Sequence, residues 1–164
     1  MPSPRTQARR YAVLALYQWK VSGTSPAEIM RHFFDDPEWL TAVDDALSGH
    51  AEGDAGGGDG PLDYDKVLFE QLVNGVPKRV KEIDARLDVF LHRPISQVDP
   101  VELSILRLGA YELLFAPSMP APVVINEAVD LAKLLGSHNG HRHVNGVLDK
   151  LSRALGSIKK SDSG

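Results

Sequence analysis

The sequence predicts an all-α fold, a single-domain bundle of about seven helices. Three observations carry that expectation. Apolar residues recur at spacings of three and four wherever the pattern is strong. Two segments, Ser25-Pro26-Ala27-Glu28 and Asp99-Pro100-Val101-Glu102, are capping boxes with proline at the first helical position. No pair of alternating runs is joined by a hairpin signal.

The elements follow in order. Helix 1 spans about Thr6 to Ser22, with Ala8, Ala12, Ala15, Leu16 and Trp19 on one face and Gly23 as its stop. The Ser25 box opens helix 2, which turns Ile29 and Phe33 inward, and Asp36-Pro37 restarts a short helix carrying Trp39, Leu40, Val43 and Leu47. Residues 48–62 hold six of the 14 glycines, too little apolar surface to offset their ordering entropy, and are expected to form a flexible acidic loop. Helix 3 is expected from Asp63 to Asn74, with Val67, Leu68, Leu72 and Val73 apolar, and Gly75 and Pro77 interrupt it. Helix 4 runs on to about Leu91 through Val80, Ile83, Leu87 and Phe90. Helix 5 follows the Asp99 box; it is apolar almost all round, which places it at the centre of the domain, and Pro117 and Pro120 close it. Helix 6 covers Pro122 to Leu135 before Gly136, helix 7 covers Arg142 to Leu155, and residues 156–164 are expected to be a frayed polar tail.

Composition excludes several chemistries. The chain has 164 residues, enough for a proper core, and no Cys, hence no disulfide, thiolate metal site or Cys nucleophile. Neither a G-x-S-x-G elbow nor a phosphate-binding glycine loop is present. No apolar run reaches membrane length and no signal peptide opens the chain, so a cytoplasmic protein is expected. Neither a cofactor nor a catalytic centre is required. His138, His141 and His143 cluster locally, and either a metal or a solvent- or RNA-facing role fits them. Glu102 and Glu112 lie about 80° from alignment on an ideal helix, and Glu102 is explained as a cap residue.

Charge is informative once divided. The net charge is −4, yet residues 35–65 contain ten acids and no Lys or Arg, leaving 12 acids against 18 cations elsewhere, a net +6. The first twenty residues carry Arg5, Arg9, Arg10 and Lys20 without an acid. Arg5 and Arg9 share a helical face, Arg10 flanks it, and Tyr11, Tyr17 and Trp19 are near in sequence. Cationic forks with aromatic planes suit single-stranded RNA. A solvated helix start with Trp19 in the core fits the same residues. Cations at a helix N-terminus oppose the macrodipole, a cost that a bound anion would relieve.

Four ordered motifs resemble one family. Arg9-Arg10-Tyr11-Ala12-Val13-Leu14-Ala15-Leu16-Tyr17-Gln18-Trp19, Ile105-Leu106-Arg107-Leu108-Gly109-Ala110-Tyr111-Glu112-Leu113, Val124-Ile125-Asn126-Glu127-Ala128-Val129-Asp130-Leu131-Ala132-Lys133 and Val144-Asn145-Gly146-Val147-Leu148-Asp149-Lys150 are similar to the NusB family of bacterial transcription antitermination factors. The resemblance implies two helical halves, pairing with the ribosomal protein NusE, binding of single-stranded boxA RNA chiefly from ribosomal RNA operons, and action beside NusA, NusG and RNA polymerase, without catalysis. It also implies RNA contacts at Arg5, Thr6, Arg9, Arg10, Tyr17, Arg142 and His143, and partner contacts at Glu102, Tyr17 and Asn139. His143 stands where the family usually has a stacking aromatic. Asn126-Glu127 and Asn145-Gly146 are expected to hold helices 6 and 7 together. The acidic insert departs from the family and is expected to project away from the RNA path.

Two other functions fit less well. NusB-like domains also occur fused to ribosomal RNA cytosine methyltransferases, but those need a Rossmann-type domain and a catalytic Cys, so that reading stands only if the chain is a fragment. A pure protein-interaction bundle would not need the basic helix start.

Overall fold

The computed structural model describes residues 2–48, 63–116, 118–136 and 139–162. Of the loop expected at 48–62, Ser48 is the last residue of a helix and residues 49–62 lie outside the described residues, as do Pro117 and His138. Eight α-helices are present among them: α1 (Pro4–Ser22), α2 (Pro26–Asp35), α3 (Pro37–Ser48), α4 (Lys66–Lys78), α5 (Val80–Asp88), α6 (Pro100–Phe115), α7 (Ala121–Leu135) and α8 (Gly140–Asp162), with one 3-10 turn at Ile95–Gln97. The all-α expectation holds, with eight helices instead of about seven.

Helix starts follow the capping chemistry. Ser25 accepts from the Glu28 amide at 3.3 Å and Asp99 from the Glu102 amide at 3.0 Å, each with proline in the first turn. Ser3 caps α1 in the same way, accepting from the Thr6 amide at 3.1 Å, so this helix begins two residues earlier than the periodicity suggested. Gly23 ends α1 at φ 74, in the left-handed region that glycine enters without steric cost.

α6 is the centre. It packs on α1, α4, α5, α7 and α8, and Leu103, Ile105, Leu106, Leu108 and Ala110 are buried. α1, α2, α3 and α4 pack among themselves and α7 and α8 pack closely on each other, which gives the two halves. An aromatic group fills the first half. Tyr11 meets Tyr64 edge-on at 5.0 Å, Phe33 packs on Phe69 at 5.0 Å, and Trp39 meets Phe33 at 5.1 Å.

Two further boundaries and one side chain differ from expectation. α4 continues through Gly75 and Pro77 to Lys78, because Gly75 marks a close helix approach and not a break. A Cβ there would stand 2.4 Å from the Tyr111 ring of α6. Pro77 removes one amide from the last turn only, and the chain breaks at Arg79. Val67 points outward and is 76% exposed, since Leu68, Phe69, Leu72, Val73 and Val76 already form the inward stripe. At the C-terminus α8 runs on to Asp162, past Leu155 where a frayed tail was expected.

Tyr11 is fully buried, so it offers no surface to a ligand. It accepts from the Gln7 amide at 2.7 Å, while Asp44 of α3 reaches both side chains. Burial pushes the Tyr11 phenol well above its ordinary value; the Gln7 hydrogen bond opposes this, and the negative charge of Asp44 adds to it. Burial, with Glu70 nearby, also raises Tyr64. A raised phenol contributes stability that is complete below the unfolded value near 10 and is lost as pH climbs through the folded one. Stability should therefore fall above about pH 10. Of the four tyrosines, Tyr11 and Tyr64 should ionise only as helicity is lost, and Tyr11→Phe should remove the larger share of this alkaline transition. Phenolate absorbance followed together with circular dichroism checks this.

Candidate nucleic-acid interface

The arginine-rich start of α1 does not present a single basic face. Arg5 is exposed, Arg9 is 2% exposed, and Arg10 is half-buried. The helix turns the Arg5–Arg9 side toward α6. At Arg9 that side is already covered, whereas Arg5 lies one turn earlier, at the end of the helix.

The Arg9 guanidinium makes a bidentate contact with Glu112 of α6, Nε to Oε1 at 2.8 Å and Nη2 to Oε2 at 3.0 Å. Its Nη1 lies 3.9 Å from Glu127 of α7. The Thr6 hydroxyl donates to the same Glu127 at 2.9 Å. Burial works against the charge on Arg9, but the hydrogen bonds and charge of Glu112, with Glu127 and Asp65 beyond, outweigh it and hold the guanidinium more firmly protonated than usual. The anions that relieve the cationic helix start are thus the protein's own. This corrects the expectation for Arg9: its donors are spent inside the fold, so it positions α1 and does not reach a phosphate. Glu112 was missed because charged residues are rarely buried unless paired, and its partner is 103 positions away in sequence.

Arg10 and Tyr17 form a different face. Seven residues apart, they point within about 20° of each other. Tyr17 is 38% exposed, and no ion pair among the described residues engages Arg10. Thr6 lies on the same side, with its hydroxyl already committed to Glu127. Trp19 is half-buried against the core with the Arg107 guanidinium 5.7 Å over its ring, and Arg107 is in turn held by Asp84 at 2.8 and 2.9 Å. It is therefore a packing residue.

A third group gathers at the start of α8. Asn139 and Arg142 are exposed, and the Asn139 carbonyl accepts from the Arg142 amide at 3.2 Å. His143 Nδ1 lies 2.5 Å from Glu102 Oε1, and its ring sits 6.5 Å from that of His92. The structure therefore brings together one residue expected on the RNA side and one expected on the partner side. The Glu102 carboxylate serves this contact, while the capping bond uses its backbone amide. No hydrogen bond or ion pair among the described residues joins this group to Arg5 or Arg10. Among the described residues no three His, Cys, Asp or Glu side chains are grouped to hold a metal ion, and no helix is long and apolar enough to cross a membrane.

Helix pairing by the two signature asparagines is also corrected. Asn126 and Asn145 are exposed, and Gly146 has open space around it. Glu127 does hold helices together, but it ties α7 to α1 and not to α8.

Residues 6–153 match the model of the NusB family. The transcription antitermination protein NusB of Nitrosococcus oceani is 41% identical over 155 residues, covering 94% of this chain and 89% of its own. That of Hahella chejuensis is 43% identical, covering 92% and 87%. Among solved structures, a crystal structure of antitermination factors NusB and NusE in complex with dsRNA aligns at TM-score 0.68 with 26% identity, over 94% of this chain and 99% of that one. T. maritima NusB aligns at 0.61 with 27% identity, over 93% of each. With residues 6–153 matched by the family model and relatives at 41% and 43% identity over more than nine tenths of its length, the chain belongs to the NusB family.

Proposed function

We propose that this chain is a transcription antitermination factor that binds RNA together with NusE and catalyses no reaction. The observation that carries this reading is the family match over residues 6–153, nearly the whole chain. Two relatives at 41% and 43% identity are named for antitermination, which supports this reading over a methyltransferase. The RNA is the single-stranded boxA element, chiefly of ribosomal RNA operons. The pair acts in the cytoplasm on RNA polymerase beside NusA and NusG.

The side chains divide the work. Arg10 and Tyr17 supply charge and a stacking plane on the outer side of α1, where Arg10 is half-buried and Tyr17 exposed, and Arg142 supplies a second cation at the start of α8. Arg5 adds a third cation at the helix end. Thr6 and His143 lie beside these groups with polar atoms already bonded, so they shape the RNA surface more than they bind it. Glu102, Asn139 and the Tyr17 edge face NusE. Arg9 is a positioning residue.

A fluorescence-anisotropy titration of boxA RNA, with and without NusE, tests the reading. Binding should be tighter with NusE and should weaken when the base order is scrambled. Equal affinity for boxA and scrambled RNA, with no effect of NusE, would overturn it.

A further inference from the structure

Arg5 lies 140° around α1 from Arg10 and cannot belong to the Arg10–Tyr17 face. It stands instead over an open cleft of about 210 Å³ between α1, α4, α6 and the turn after α6, lined among others by Gln71, Tyr111, Phe115, Ser118 and Met119. We infer that this cleft is a second RNA subsite, which takes one unstacked nucleotide from the single strand flanking boxA. The inference rests on the RNA-binding reading above.

The charge at the cleft is that of a phosphate site. The Arg5 guanidinium rests on the Met119 thioether at 3.5 Å, a weak acceptor, and no carboxylate among the described residues pairs with it. Glu112 lies in the floor and would repel a phosphate if its charge were open. Arg9 occupies both of its oxygens, so the floor is neutralised from behind. Outside the lining, the Arg79 guanidinium lies 4.8 Å over the ring of Phe115, a lining residue. Its ion pair with Glu82 is loose, at 3.7 Å between side chains that are 56% and 49% exposed.

The walls suit a base. Phe115 is half-buried and packs on Tyr111 at 5.4 Å, and Tyr111 is backed by Gly75, where α4 approaches too closely for a side chain. The two rings are tilted by 46°, so a planar base can lie against one of them. Gln71 and Ser118 are exposed at the edge and offer an amide and a hydroxyl to the base's polar atoms. Arg5 at the cleft and Arg79 over the Phe115 ring, together with the aromatic pair, fit a single-stranded nucleotide better than an acidic peptide, which would use the cations and leave the rings idle.

The test compares two RNAs bound to the chain together with NusE: the boxA core, and the same core extended by several nucleotides at both ends. The extended RNA should bind the unaltered protein about tenfold more tightly, within the range of one stacked base. Phe115→Leu and Arg79→Gln should each remove most of that gain while binding the core as before, and the retained core affinity reports a folded protein. An extension that adds nothing, or variants that keep the full gain, would overturn the subsite alone. A wild-type complex that fails to bind the core would overturn the RNA-binding reading on which it rests.

Discussion

Arg9→Ala should cost about 3–5 kcal/mol of folding stability, the usual penalty for leaving one member of a buried ion pair alone. Glu112, 2% exposed, would lose both of its partner bonds. Urea denaturation measures the loss. Replacing both members, Arg9→Met with Glu112→Leu, should recover most of it, because no uncompensated charge remains. A single substitution that costs less than about 1 kcal/mol, the range of an exposed pair, would mean that Arg9 is not held as the structure shows. RNA binding discriminates further. Where Arg9→Ala remains folded, the salt dependence of RNA affinity should stay that of the wild type, because Arg9 neutralises no phosphate.

Arg10→Ala and Tyr17→Ala should act in the opposite way, with stability little changed and RNA affinity reduced. Loss of one stacking plane corresponds to about 1–3 kcal/mol, so Tyr17→Ala should weaken boxA binding by roughly tenfold. Two phosphate-facing cations outside the Arg5 cleft, Arg10 and Arg142, give a logarithmic salt slope of about −1.4 for the boxA core. Arg10→Ala should flatten it by about 0.7. Anisotropy titrations over a series of salt concentrations read both quantities. A double variant with wild-type affinity and an unchanged slope would remove the α1 face from the RNA site.

The contrast between neighbouring arginines shows what sequence can and cannot disclose. α6 was legible because its cues are local: an Asp-Pro start, then an apolar run without a polar face. The Ser25 cap and the Gly23 stop were legible for the same reason. Gly75 misled, because a glycine before a proline reads as a break, and only the Tyr111 ring on another helix explains why α4 continues past it. Arg9 misled more deeply. It is as basic as Arg10 and one residue away, and the difference between them lies in Glu112 and Glu127, both more than a hundred positions distant. A net positive segment predicts an anion but does not say whether the anion is a ligand or the protein's own carboxylate.

The candidate site was therefore legible as a set of residues and not as a surface. The motifs drew attention to Arg5, Arg10, Tyr17, Glu102, Arg142 and His143. The structure separates them into a cleft under Arg5, a face with Arg10 and Tyr17, and a group where His143 meets Glu102. The acids of the 35–65 segment explain why net charge hid a basic body. Within that segment Asp44 has a clear task in holding α3 to Gln7 and Tyr11.

Photo-cross-linking of boxA RNA to the chain in the presence of NusE, with the attached residues identified by mass spectrometry, tests the central claim most directly. Attachment should map to Tyr17 and its α1 face and to the Arg142–His143 turn, with none at Tyr11 or Trp19, whose rings are committed to packing. Attachment confined to other surfaces, or no attachment above that of a scrambled RNA, would contradict it.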